Sequence, residues 1–256
     1  MFAYKNARGG SYLPLTATLF GYVLNICGVV TTRRRNIKLN FKQLSVNLNA
    51  LSGEISGFWE NFQDDKYAVR PTNAGSYCVF DIGGNAGFFS ILQIIIHRDK
   101  LRLFTFEPDP EVFSRTCQNI DWCNQERNAC ISKNNFALSS AKGSAGFVRN
   151  GSCLSHISSC QPGDSKHFDV PTDTLDNFVL ANKIELIDLI KIDVEGHELE
   201  VLKGATQNAL PITDKIVLQY HPGQFDAVRQ LLEASGFVHT GGNERKDTAF
   251  FSKLPK

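Results

Sequence analysis

The chain has almost no net charge: 27 Lys and Arg stand against 26 Asp and Glu in 256 residues. A field that weak excludes nucleic acid as the expected ligand. No two of the seven cysteines form a C-x-x-C pair, their number is odd, and the dense spacing of a disulfide scaffold is missing. They read as reduced thiols and give a cytoplasmic expectation. Also missing are H-E-x-x-H and any Cys/His spacing suited to zinc, so no metal is expected. G-x-G-x-x-G, the turn that seats a pyrophosphate, is absent, as are internal repeats and low-complexity tracts.

One long uncharged run is present, from Gly9 to Thr32, and Arg33, Arg34 and Arg35 follow it. Its length suits a bilayer. Pro14, Gly21, Asn25 and Gly28 interrupt it, Lys5 and Arg8 precede it, and no small-residue cleavage site follows. The expectation is an N-terminal helical segment, 1–35, packed on the protein, with membrane association through residues 11–32 as the alternative. Residues 36–76 form a lead-in that ends in turn chemistry and carries no nameable reaction. The periodic part is 77–256, and with 42% apolar residues it can bury one substantial core.

In that part short apolar strands alternate with helical patterns. "YCVFD" (77–81), "LRLFTFE" (101–107), "NACISKNN", "LIDLIKID" (186–193) and "KIVLQY" (215–220) read as strands. "GFFSILQIIIHR", "PEVFSRTCQNI", "EGHELEVLKGA" and "FDAVRQLLEAS" read as helices. This predicts an α/β fold with a mostly parallel sheet and helices on both faces. "GFVHT" and "TAFFSK" have no helix between them, so the last strand is expected to run antiparallel. Ala141 to Pro171, rich in Ser, Gly and Cys, breaks the rhythm, either as a hairpin and loop or as part of an acceptor pocket.

The first strand runs into D-x-G-x-N-x-G, at Asp81, Gly83, Asn85 and Gly87, with Gly84 beside Gly83. Glycines there let backbone approach a ligand. An anionic Asp81 repels phosphate but suits an ammonium or a sulfonium. Glu107, ending the second strand in "FEPDP", is placed to accept hydrogen bonds from ribose hydroxyls. Together the two acids describe S-adenosylmethionine better than NAD. The plain alternative for Asp81 is a turn or helix cap.

"VFDIGGNAGFFS", "FEPDP", "NFALS", "PTDTLDNF" and above all "IDLIKIDVEGHELEVLKGA" resemble the FkbM-type S-adenosylmethionine-dependent methyltransferases, over roughly residues 53–252. The resemblance implies a class I methyltransferase fold, Rossmann-like, with seven strands of which the last is antiparallel. It implies O-methylation of a hydroxyl on a sugar, polyketide or related small molecule or glycan. It puts the methionine part of the cofactor near Asp81, Gly83, Gly84, Asn85 and Gly87, the ribose at Glu107, and Asn135 and Ala137 at the adenine edge. Asp193 would face the methionyl end or the acceptor. Gln219 stands where the family often has Glu, which leaves any role for a carboxylate there in doubt.

Methyl transfer is an in-line displacement, so alignment of the acceptor oxygen is the main task and a base helps to take its proton. The candidates are Asp193, Glu195 and His197, with His221 behind them. Near the start of a helix, acids also serve the dipole and histidines also face solvent. The rival readings are a degenerate methyltransferase-like binding domain and an NAD-dependent dehydrogenase. Oligomeric state is not legible.

Overall fold

The computed structural model describes residues 35–41, 44–50, 55–62, 66–67, 75–149, 156–157, 167–221, 223–243 and 247–253. In the lead-in, β1 (Arg35–Phe41) and β2 (Leu44–Ala50) pair as an antiparallel hairpin, followed by α1 (Ile55–Phe62). The main domain opens with β3 (Tyr77–Ile82), α2 (Phe88–His97), β4 (Leu101–Phe106), α3 (Pro110–Asn124) and β5 (Cys130–Asn134). Four short strands follow: β6 (Ala137–Leu138), β7 (Gly143–Val148), β8 (His156–Ile157) and β9 (His167–Asp173). The chain then runs through α4 (Leu175–Ala181), β10 (Ile187–Ile192), α5 (Glu198–Lys203), β11 (Thr213–Gln219) and α6 (Phe225–Ala234). It ends with β12 (Phe237–Asn243) and β13 (Thr248–Lys253).

The main sheet has seven strands in the order β12-β13-β11-β10-β3-β4-β5. Strands β5, β4, β3, β10 and β11 are parallel, and β13 runs antiparallel to both β11 and β12. This is the mostly parallel sheet expected from the alternating pattern, in the class I, Rossmann-like arrangement that the resemblance implies. The chain starts at the centre with β3, builds outward through β4 and β5, then returns to the other side with β10. The strand order therefore reverses between β3 and β10, and ligands bind beyond the carboxyl ends at such a point.

Both faces of the sheet are covered, which is why its central strands are mostly apolar. Val79 and Leu103 point toward α1 and α2, while Phe80, Ile82, Phe104 and Phe106 point toward the layer of α4, α5 and α6. α1 belongs to the first layer. Phe58 stacks on Phe62 and meets Phe88 edge-on at 5.8 Å, and Tyr67 meets Phe89 edge-on at 5.4 Å. The irregular stretch between β5 and β10 is a second sheet, β6-β9-β7-β8, built on the antiparallel β7–β9 pair.

Two expectations are corrected. Among the described residues no helix is long and apolar enough to cross a membrane. The helical segment and the membrane association through residues 11–32 fall on residues outside those described, and the structure lends neither that association nor a membrane-associated location any support. The lead-in is also not chemically blank, because α1 and Tyr67 reach the site at the sheet's carboxyl edge.

Candidate active site

The turn after β3 is wedged between the tips of two neighbouring strands. The N–H groups of Gly83 and Gly84 both donate to the Phe106 carbonyl at the end of β4, at 3.1 and 2.8 Å. Gly83 has φ +81°, and a Cβ there would lie 1.9 Å from the Asp193 carbonyl oxygen beyond β10. Only glycine satisfies both demands. Helix α3 holds the next residues: the Thr116 hydroxyl donates to the Asn85 carbonyl and the Asn119 amide to the Ala86 carbonyl. Asn85, itself at φ 45°, donates its N–H to Glu107 Oε2 at 2.9 Å.

A cavity opens over these strand tips. Glu107 lines it and is 7% exposed; Oε2 accepts from Asn85 N–H and Oε1 from Asp109 N–H at 3.0 Å. Burial pushes its carboxyl up to about 7, against the opposing pull of those two backbone donors. A carboxylate offers about four acceptor positions, so two remain. Beside it stand the apolar side chains of Pro108, Val112, Phe136 and Ala137.

The other end of the cavity is acidic and comes from the segment after β10. Asp193 accepts from the Tyr67 hydroxyl at 2.6 Å and lies 3.6 Å from Lys66 Nζ. Burial alone would raise its carboxyl, but the charges of Lys191 and Lys66 and the Tyr67 hydrogen bond hold it below the usual range. Glu195 sits in the left-handed region at φ 52°, and burial together with the Asp193 charge pushes it up to about 7. His197, the residue before α5, has Nε2 3.0 Å from Ser139 Oγ, and burial lowers its pKa. Gly57, Tyr67 and Phe88 close one side, Phe147 and Ile157 of the small sheet another.

Of the residues singled out in the sequence, Gly83, Gly84, Asn85, Glu107, Ala137, Asp193, Glu195 and His197 line the cavity. Three do not. Asp81 is fully buried beneath the turn, where it accepts from Ser90 Oγ at 2.6 Å and lies 3.1 Å from Lys191 Nζ. Its charge is answered by protein rather than turned toward a ligand. Gly87, at φ +84°, serves the entry into α2. The Asn135 amide donates to the carbonyls of Glu107 and Pro108, so it braces the Glu107 loop from behind.

Lys66, Tyr67 and Lys191 were missed. A lysine inside an apolar strand is a signal, since lysine is almost never buried unpaired. Its partner Asp81 is its register neighbour on β3, and register was not legible. Gln219 lines the cavity and accepts from Lys66 Nζ, so this position serves as a neutral partner to a lysine already paired with Glu60 at 2.9 Å.

The sheet order, the glycine turn pinned to two strand tips and the acid ending the second strand define an α/β domain of the class I methyltransferase type. Residues 81–238 match the Methyltransferase FkbM domain. The chain belongs to the FkbM methyltransferase family. It is 30% identical over 145 residues to the hexuronic acid methyltransferase AglP of Haloferax volcanii, covering 57% of this chain and 56% of that protein. The chain thus spans just over half the length of that relative. It is 25% identical over 198 residues to Methyltransferase 1 of Beauveria bassiana, covering 70% of this chain and 79% of that one. Among solved structures, an S-adenosylmethionine-dependent methyltransferase from Agrobacterium tumefaciens is similar at 11% identity with a TM-score of 0.46, covering 86% of this chain and 70% of that one.

The cofactor of the family is S-adenosylmethionine, and the donor set fits it. Glu107 has acceptor capacity for two hydroxyls beside an apolar wall suited to a flat base. Asp193, held ionised, gives the far end a negative charge suited to a cationic methionine part.

Proposed function

We propose that this chain catalyses S-adenosylmethionine-dependent methylation of a hydroxyl on a sugar, a polyketide or a related small molecule or glycan. The observation that carries the reading is one cavity lined both by Glu107, buried with two acceptor positions to spare, and by Asp193, Glu195 and His197. In this reading Glu107 holds the ribose hydroxyls. The backbone of Gly83, Gly84 and Asn85 runs alongside the cofactor, and Ala137 with Phe136 and Val112 covers the adenine. Asp81 acts from beneath, through Lys191 and the turn. When bound, S-adenosylmethionine supplies a methyl group already activated by the sulfonium.

The remaining task is the acceptor's proton and position. Asp193, held ionised by two lysines and a tyrosine, is a weak base and serves as the fixed negative charge. Glu195, pushed up to about 7, matches what a general base needs near neutral pH. His197, kept neutral by burial and bonded to Ser139, orients the acceptor. The relative named as a hexuronic acid methyltransferase supports a sugar as the class of acceptor.

Calorimetric titration with S-adenosylmethionine, S-adenosylhomocysteine and NAD tests the reading. Micromolar binding of both adenosyl ligands and no NAD response is expected. Glu107→Ala should weaken that binding by about 10- to 100-fold, the loss of charge-assisted hydrogen bonds. Failure of both adenosyl ligands to bind folded wild-type protein overturns it in favour of a degenerate binding domain.

A further inference from the structure

We propose that His221 is a positioning residue for Glu195 and a second site for its proton, held in one tautomer by the buried carboxylate of Glu198. The proposal rests on the reading of Glu195 as the group that takes the acceptor's proton.

The imidazole, two residues beyond β11, is bracketed by carboxylates through its two ring nitrogens. Nδ1 lies 3.1 Å from Glu198 Oε1 and Nε2 lies 3.1 Å from Glu195 Oε2. Glu198 is fully buried in the first turn of α5, and its Oε1 also receives the N–H groups of Gly196 at 3.0 Å and Val194 at 3.4 Å. That oxygen is surrounded by donors, so Nδ1 carries the hydrogen that completes the set. The Glu195 backbone is held in its left-handed conformation from the next residue: Gly196, at φ +96°, accepts through its carbonyl from the Gln224 amide at 2.7 Å. Strained backbone of this kind persists where the surroundings over-determine it.

Proton counting gives the rest. A carboxylate only accepts, and with Nδ1 protonated a neutral ring presents a lone pair at Nε2. Two acceptors do not rest 3.1 Å apart without a proton between them, so this geometry holds one proton shared by Glu195 and His221. Loss of that proton to water through the partly exposed ring leaves two lone pairs that repel each other, and this repulsion makes the pair a stronger acceptor for the next proton. The acceptor's O–H bond then breaks, its proton lands on the Glu195–His221 pair, and the oxygen's electron pair forms the bond to the incoming methyl group as the methyl–sulfur bond breaks. The ring, with 26% of its side chain exposed, returns the proton to water. The charged groups facing the pair are Asp193 beyond β10 and Glu198 on α5, with Lys66 and Lys191 acting on Asp193.

The test is nitrogen-15 NMR of histidine in the cofactor-free full chain, with carbon-13 detection of glutamate carboxyls, over pH 5.5 to 9 in about half-unit steps. Expected in the wild type is a neutral ring with its hydrogen on Nδ1, and an Nε2 signal that follows the carboxyl signal of Glu195. Glu198→Leu, which removes the acceptor at Nδ1, should move the ring proton to Nε2, where Glu195 accepts it. A wild-type ring carrying its neutral proton on Nε2, or a Glu195 signal that moves independently of His221, overturns the proposal while leaving the proposed function standing. Folded wild-type protein that binds no S-adenosylhomocysteine overturns the proposed function, and the pair's role with it.

Discussion

A carboxyl group buried at the tip of β4 with two backbone N–H donors is in tension between its hydrogen bonds and its lost hydration. At Glu107 the loss of hydration is the larger effect, and the group is pushed from 4.5 up to about 7. The folded protein therefore binds this proton more tightly than the unfolded chain does. The stabilisation it contributes is full below about pH 4.5 and is lost as pH rises through about 7. Cofactor binding should run the other way, because two ribose hydroxyls need an ionised acceptor. Urea melts of the cofactor-free protein should show falling stability between pH 5.5 and 8, while S-adenosylhomocysteine affinity rises across the same window, about 10-fold per unit below the midpoint. Both trends should flatten in Glu107→Gln. Glu195 shifts in the same direction, so the comparison is made in a Glu195→Gln background.

At the scale of elements, the site is made where strand tips converge. The turn after β3 accepts its place from β4, through the Phe106 carbonyl, and from β10, through the Asp193 backbone. Gly83→Ala should cost about 3 kcal/mol, since it combines a left-handed backbone with a Cβ driven against a carbonyl oxygen on a neighbouring segment. Gly75→Ala, where a Cβ meets nothing within 4 Å, is the control and should stay within about 0.5 kcal/mol in urea denaturation. An equal effect of both would mean that the strand tips adjust freely. The small sheet is tied in by a different device. Asp109 caps α3 through the N–H groups of Glu111 and Val112, and Arg149, just past β7, grips the same buried carboxylate with two hydrogen bonds of 2.6 Å. That grip holds Phe147 at the cavity wall. No local pattern announces it, because a cap and an arginine forty residues apart meet only after both sheets have formed.

For the whole molecule, the lead-in is part of the core. Phe58, Phe62 and Tyr67 are buried against α2, and Tyr67 continues from that packing to Asp193. Truncating one such aromatic costs about 3–5 kcal/mol, whereas a domain of this size has only about 5–15 kcal/mol in total. A chain beginning at Ser76 should therefore lose cooperative unfolding, bind a hydrophobic dye and fail to bind S-adenosylhomocysteine. Retained cooperativity, followed by circular dichroism and calorimetry, would show the lead-in to be dispensable.

The sequence by itself determined the sheet, because central strands buried on both faces must be apolar and helices between them must leave a recognisable period. It also determined the glycine turn, the acid ending β4 and the acid-rich segment after β10, since each is a local pattern of chemical type. Which of these residues line the cavity was decided only by tertiary structure. Strand register set Asp81 against Lys191 and so spent its charge inside the protein, the docking of α1 brought Tyr67 and Lys66 to Asp193, and the adjacent tips of β10 and β11 closed Glu195, His221 and Glu198 into one hydrogen-bonded row. Register, docking and long-range charge pairing depend on residues far apart in the chain, and no local period records them.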